Sequence, residues 1–121
     1  MSDKTVREYF GSGELSSEHT ENAEGHQEGV SRRWYGNGQL WIEAHYSNGK
    51  AHGLLREWNE NGQLIMQAER ANDVFHGRFD SWWENGLPKE QGHYLNGKRQ
   101  PGYCWYRIDG TLWSHWNGGE H

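Results

Sequence analysis

The chain has 121 residues, a formal charge of −5 and a hydrophobic share of only 32%. That is too few aliphatic side chains for a conventional two-layer core, since ordinary domains reach about 45–50% apolar with glycine counted. All of the net charge sits in residues 1–29, which hold seven acidic and two basic residues, while residues 30–121 balance. No basic footprint for a nucleic-acid backbone is present. The single cysteine, Cys104, excludes an internal disulfide.

Taken in chain order, the sequence is a repeat. Gly13, Gly38, Gly62, Gly86 and Gly110 follow one another at intervals of 25, 24, 24 and 24 residues. Tyr9, Trp34, Trp58, Trp82 and Tyr106 each precede one of them by four positions. A second row holds Gly29, Gly53 and Gly77, with Pro101 where a fourth glycine is due. A period of this length signals a repeat architecture. The units run over residues 7–29 (acidic and degenerate), 30–53, 54–77, 78–101 and 102–121, and together make one domain over 1–121.

Asn-Gly pairs at 37–38, 48–49, 61–62, 85–86, 96–97 and 117–118, with Asp109-Gly110, mark tight hairpin turns with positive φ. Between them lie runs of strand length, about 5–8 residues. Alternation in the second unit puts Leu40, Ile42, Ala44 and Tyr46 on one face, with Trp41, Glu43 and His45 on the other. Ala44, Ala68 and Gly92 recur 24 apart and read as space for a neighbouring ring. The anchor aromatics read as a core ladder. The expected fold is all-β: an elongated single antiparallel sheet of about five tandem 24-residue hairpins. About ten strands at about 4.8 Å each give a sheet roughly 45 Å long.

The chemistry-bearing residues form no catalytic set. His52 with His76, and His45 with His93, sit at repeat positions, without His-x₃-His or Cys-x-x-Cys spacing. Gly11-Ser12-Gly13 and Gly36-Asn37-Gly38 lack the Lys-Ser/Thr of a phosphate loop. Acid, base and nucleophile do not converge, so no enzyme, cofactor or metal is expected. Two features point to a partner instead. Tyr35, Trp41, Trp83 and Trp113 are less regular than the anchors and fit a contact surface, where Trp and Tyr are enriched. Glu14, Glu18, Glu21, Glu24 and Glu28 fall in a stretch without Lys or Arg between Glu14 and Glu28, which suits electrostatic steering of a basic partner. No run approaches a membrane span and no apolar leader opens the chain, so a cytoplasmic site is expected.

Two segments carry a family resemblance: Glu57-Trp58-Asn59-Glu60-Asn61-Gly62-Gln63-Leu64, and Tyr46-Ser47-Asn48-Gly49-Lys50-Ala51-His52-Gly53. They resemble MORN repeats, and more closely the MORN-variant repeats of bacterial antitoxin or immunity proteins, over about residues 7–116. The fourth unit departs from the pattern at Pro88 and the fifth at Pro101. The resemblance implies a cognate protein toxin as partner, encoded by a neighbouring gene and neutralised by stoichiometric occlusion. MORN arrays also serve as scaffolds and lipid-associated modules, and Trp-rich hairpins more loosely resemble choline-binding cell-wall repeats. A scaffold or a module for a protein, lipid or carbohydrate ligand is therefore the alternative.

Overall fold

The computed structural model of the chain describes residues 3–119. Over that range it has no helix and forms one antiparallel sheet. The first hairpin joins β1 (Lys4–Tyr9) to β2 (Leu15–Glu21), and the second joins β3 (Gln27–Trp34) to β4 (Leu40–Ser47). A two-residue β5 (Lys50–Ala51) precedes the third hairpin, β6 (Gly53–Trp58) with β7 (Leu64–Ala71). The fourth pairs β8 (Val74–Trp82) with β9 (Pro88–Leu95). After the short β10 (Lys98–Arg99) comes the fifth, β11 (Tyr103–Tyr106) with β12 (Leu112–Trp116). Ten strands lie side by side in chain order, with β5 and β10 paired to β4 and β9. The five expected hairpins are all present. The acidic first unit is a hairpin too, in register from Lys4↔Glu21 to Glu8↔Ser17 and, past a bulge, at Tyr9↔Leu15.

The Asn-Gly pairs divide into two kinds of turn. At one edge, Asn48-Gly49, Asn72-Asp73 and Asn96-Gly97 have positive φ at both residues. These are two-residue primed turns, whose twist matches that of the strands. At the other edge only the glycine of Asn37-Gly38, Asn61-Gly62 and Asn85-Gly86 is left-handed. Here a turn such as Gly38 N–H to Tyr35 O closes first, and Tyr35 N–H then bonds Gln39 O. That is a three-residue loop ending in a glycine bulge. The expectation of positive φ at these asparagines is thus corrected, because their side chains do different work. The Asn37 amide donates to Glu60 O at 2.9 Å and the Asn85 amide to Ile108 O at 2.7 Å. In the third unit Gln63 takes over, donating to Glu84 O at 2.9 Å. Each loop is thereby tied to the next. In the fifth unit Gly110 holds the same place in the loop, and the glycine due at Pro101 is supplied one position later by the left-handed Gly102.

Each hairpin carries an extra residue just past its turn. In the second unit Trp34 pairs with Leu40 and Arg33 with Ile42, so Trp41 is the extra residue. Ser16, Ile65, Lys89 and Trp113 hold the same position. The bulge breaks the simple alternation. Trp41 lines one depression together with Ile42, Ala44 and Tyr46, rather than facing away from them.

The sheet's two faces differ. One carries a ladder of paired polar groups. Arg7 bonds Glu18 at 2.7 Å, Arg32 bonds Glu43 at 2.9 Å, Arg56 lies 3.9 Å from Glu43, and Arg78 bonds Asp80 at 2.9 Å. The opposite face holds what core there is: Ala44, Ala51, Leu55, Ala68, Ser81, Gly92 and the fully buried Tyr103. A Cβ on Gly92 would overlap the Tyr103 ring. The small residues do make room for a ring, as expected, but the ring is not an anchor aromatic. Trp34, Trp58, Trp82 and Tyr106 are only half-buried, and Tyr9 is 60% exposed. They pair with Leu40, Leu64, Pro88 and Leu112 next to the turns instead of filling the interior.

Candidate functional site

The irregular aromatics fall along one edge of the ring face. In the second and fourth hairpins the residue after the anchor meets the bulge residue of the same hairpin. Tyr35 and Trp41 stack with centroids 5.7 Å apart, and the Lys89 ammonium lies 4.8 Å above the Trp83 ring. Both sites are locked to the next repeat, since the Tyr35 hydroxyl donates to Trp58 O at 2.7 Å and the Trp83 indole to Tyr106 O at 3.2 Å. Burial pushes the Tyr35 phenol above its ordinary pKa, so it remains a donor. Trp113 stands 67% exposed at the last bulge. Three of the four sequence-selected aromatics are thus held rigidly, which lowers the entropy cost of contact.

The five acidic residues do not form one patch. Glu14 accepts from the Ser12 hydroxyl in the first turn, which holds its carboxyl below the ordinary range. Glu18 belongs to the polar ladder, paired with Arg7. Glu21 accepts from His19 at 2.9 Å, which lowers its pKa, and Lys4 adds to the effect from 3.9 Å. Glu24 lies 3.6 Å from His26 in the loop before β3, and Glu28 accepts from the Asn48 amide N–H at 3.2 Å. The run is spread over a turn, two strands and the opposite edge. All but Glu24 already have a hydrogen-bond donor.

Sequence reasoning missed a concavity between the strands. An open cavity of about 360 Å³ lies on the ring face, spanning the first three hairpins. Ser31 and Ala44 face each other across β3 and β4 within it, with His19 and Leu55 to either side. Trp41, Ile42 and Arg33 border one end, and Tyr46 and Arg70 the other. The Arg70 guanidinium lies 5.6 Å above the Tyr46 ring, and its Nε and Nη2 are buried without a hydrogen-bond partner. The signal was in the register: Ser31 precedes Leu55, Phe79 and Tyr103 by multiples of 24 and is the small residue in a large-residue row.

The histidines act within the repeat. His45 Nδ1 bonds Leu54 O at 3.0 Å, and His76 Nδ1 accepts from the Asn96 N–H at 3.1 Å.

Against known families, residues 27–48 and 51–72 each match the model described as MORN repeat variant. Those segments are the second and third hairpins, which border the cavity together with the first. No curated protein matches the chain.

Proposed function

We propose that this chain, a MORN-variant repeat protein, is an immunity protein or antitoxin that occludes a cognate bacterial toxin in the cytoplasm. At the coarser level, MORN repeats make it a repeat scaffold or binding module. The observation that carries the finer reading is the asymmetry of the sheet. One face is closed by its own ion pairs. The other presents aromatic side chains held by the chain's own contacts, of which Trp41 borders an open cavity. Rigid aromatic side chains beside a concave surface that a partner can desolvate are the ordinary makings of a protein-binding hot spot. The mechanism is stoichiometric contact without chemistry of its own. A choline-type cage is less favoured, because Lys89 and Arg70 of the chain already occupy the faces of Trp83 and Tyr46.

Co-expression with the product of the adjacent gene tests the proposal. A complex that co-purifies and rescues growth from that product's toxicity supports it. A harmless neighbour that does not bind the chain overturns the immunity reading and leaves the scaffold reading in its place.

A further inference from the structure

From Leu55 onward, large and small residues alternate across the strands of the ring face. Leu55 is followed by Ala68, then Phe79, Gly92 and Tyr103. Ala68 is 1% exposed, and Gly92 lies against the Tyr103 ring. Before Leu55 the alternation fails. Ser31 holds the register of Leu55, Phe79 and Tyr103, but directly faces Ala44. Two adjacent small side chains leave the open cavity. The row is missing one large side chain.

Charge is unbalanced at one end of this gap. Every arginine of the polar ladder has a carboxylate: Arg7 has Glu18, Arg32 and Arg56 share Glu43, and Arg78 has Asp80. No ion pair engages Arg70 among the described residues, although two of its nitrogens are buried. Its ring partner Tyr46 is two residues from Ala44 on the same strand, so the guanidinium stands beside the gap. The one acid of the cavity lining outside the ladder, Glu8, lies at the other end, in the row of Ser17 and Arg33. A buried charge without a counter-ion is costly, and an arriving carboxylate offsets that cost.

We infer that the cavity receives an aromatic side chain of a partner protein, with a carboxylate on an adjacent partner residue seated at Arg70. The inference rests on the reading of the chain as a protein-binding module. The ring takes the place that Tyr103 fills two hairpins on from Leu55, and completes the large-small row. The carboxylate supplies the charge that the ladder face gives its own arginines.

The test is an NMR titration of the full chain with two capped dipeptides, acetyl-Glu-Phe-amide and acetyl-Gln-Phe-amide. The glutamyl peptide should produce saturable shifts at the Trp41 indole and the Arg70 Nε–H, with a Kd in the millimolar range for so small a ligand. The glutaminyl peptide should bind about tenfold more weakly, the usual margin for a charged hydrogen bond. Ser31→Tyr fills the gap from within and should abolish binding while leaving distant resonances in place. If that variant does not fold, Arg70→Gln should retain ring binding but erase the difference between the peptides. Absence of saturable shifts, equal binding of both peptides to the unaltered chain, or undiminished binding to folded Ser31→Tyr overturns the inference. Peptide binding with no rescue of growth would uphold the cavity and sink the immunity reading. Rescue by both the unaltered chain and Ser31→Tyr, with silent peptides, would do the reverse.

Discussion

Tyr103 shows how one side chain serves as a core. Its ring is 0% exposed and contacts Phe79, Tyr94 and Trp105 at centroid distances of 6.3, 5.8 and 4.8 Å. Its hydroxyl donates to Glu90 at 3.1 Å, and burial drives the phenol well above its ordinary pKa, so it stays a donor. Removing that bond alone, with Tyr103→Phe, should cost about 1 kcal/mol. Removing the ring, with Tyr103→Ala, should cost about 3–5 kcal/mol, the range for large aromatic truncations. Gly92→Ala pushes a methyl group into the ring and should cost about 1–3 kcal/mol. In the Tyr103→Ala background that penalty should vanish. Urea unfolding of the four proteins closes the cycle, and additive losses would show that ring and glycine do not meet. The sequence marked Gly92 as room for a ring but not which ring would come. The anchor aromatics repeat so regularly that they claimed the core, whereas Tyr103 occupies a row whose members are Ser31, Leu55 and Phe79.

At the scale of the hairpin, stability depends on how one loop grips the next. The Asn85 amide donates to Ile108 O, and its Oδ1 accepts the Leu87 N–H at 3.0 Å. Asn61 occupies the same place one repeat earlier, but there the link forward is made by Gln63. Asn85→Ala and Gln63→Ala should therefore each cost about 1–2 kcal/mol for two lost bonds, and Asn61→Ala little. Thermal or urea melts of the three single variants check this. Equal losses at Asn61 and Asn85 would refute the division of labour. Period and turn chemistry made the five hairpins legible, because glycine must supply the left-handed residue in each loop. The bulges were not legible. An extra residue at Trp41 leaves no mark on composition, yet it turns the ring toward Ile42 and the cavity, which the alternation rule alone cannot do. The cavity stayed hidden for a related reason: its floor is Ser31 and Ala44, residue types that carry no chemical signature.

An array in which each hairpin touches mainly its neighbours holds together as a nearest-neighbour chain, so its ends are weaker than its middle. Amide exchange should accordingly be slowest in β6, β7, β8 and β9 and fastest in β1 and β12. The terminal hairpins are also where the perturbed carboxyls sit. Glu14 accepts from Ser12, Glu21 from His19, and Asp109 from the Thr111 hydroxyl and N–H. In each case the bond holds the carboxyl below its ordinary value of 4.5 or 3.8. A depressed folded-state pKa means that the unfolded chain binds more protons. The stabilisation is then complete above the ordinary carboxyl range and is lost as pH falls through it and below. Since these groups lie in the first and fifth hairpins, acid should release the ends before the middle. Amide NMR spectra recorded from pH 7 down to pH 3 would follow this residue by residue. Signals of 3–26 and 104–119 should broaden or move toward unfolded positions while those of 53–95 persist. Simultaneous loss along the whole chain would mean that the five hairpins unfold as one unit, and that the terminal carboxyls do not set the acid limit of the fold.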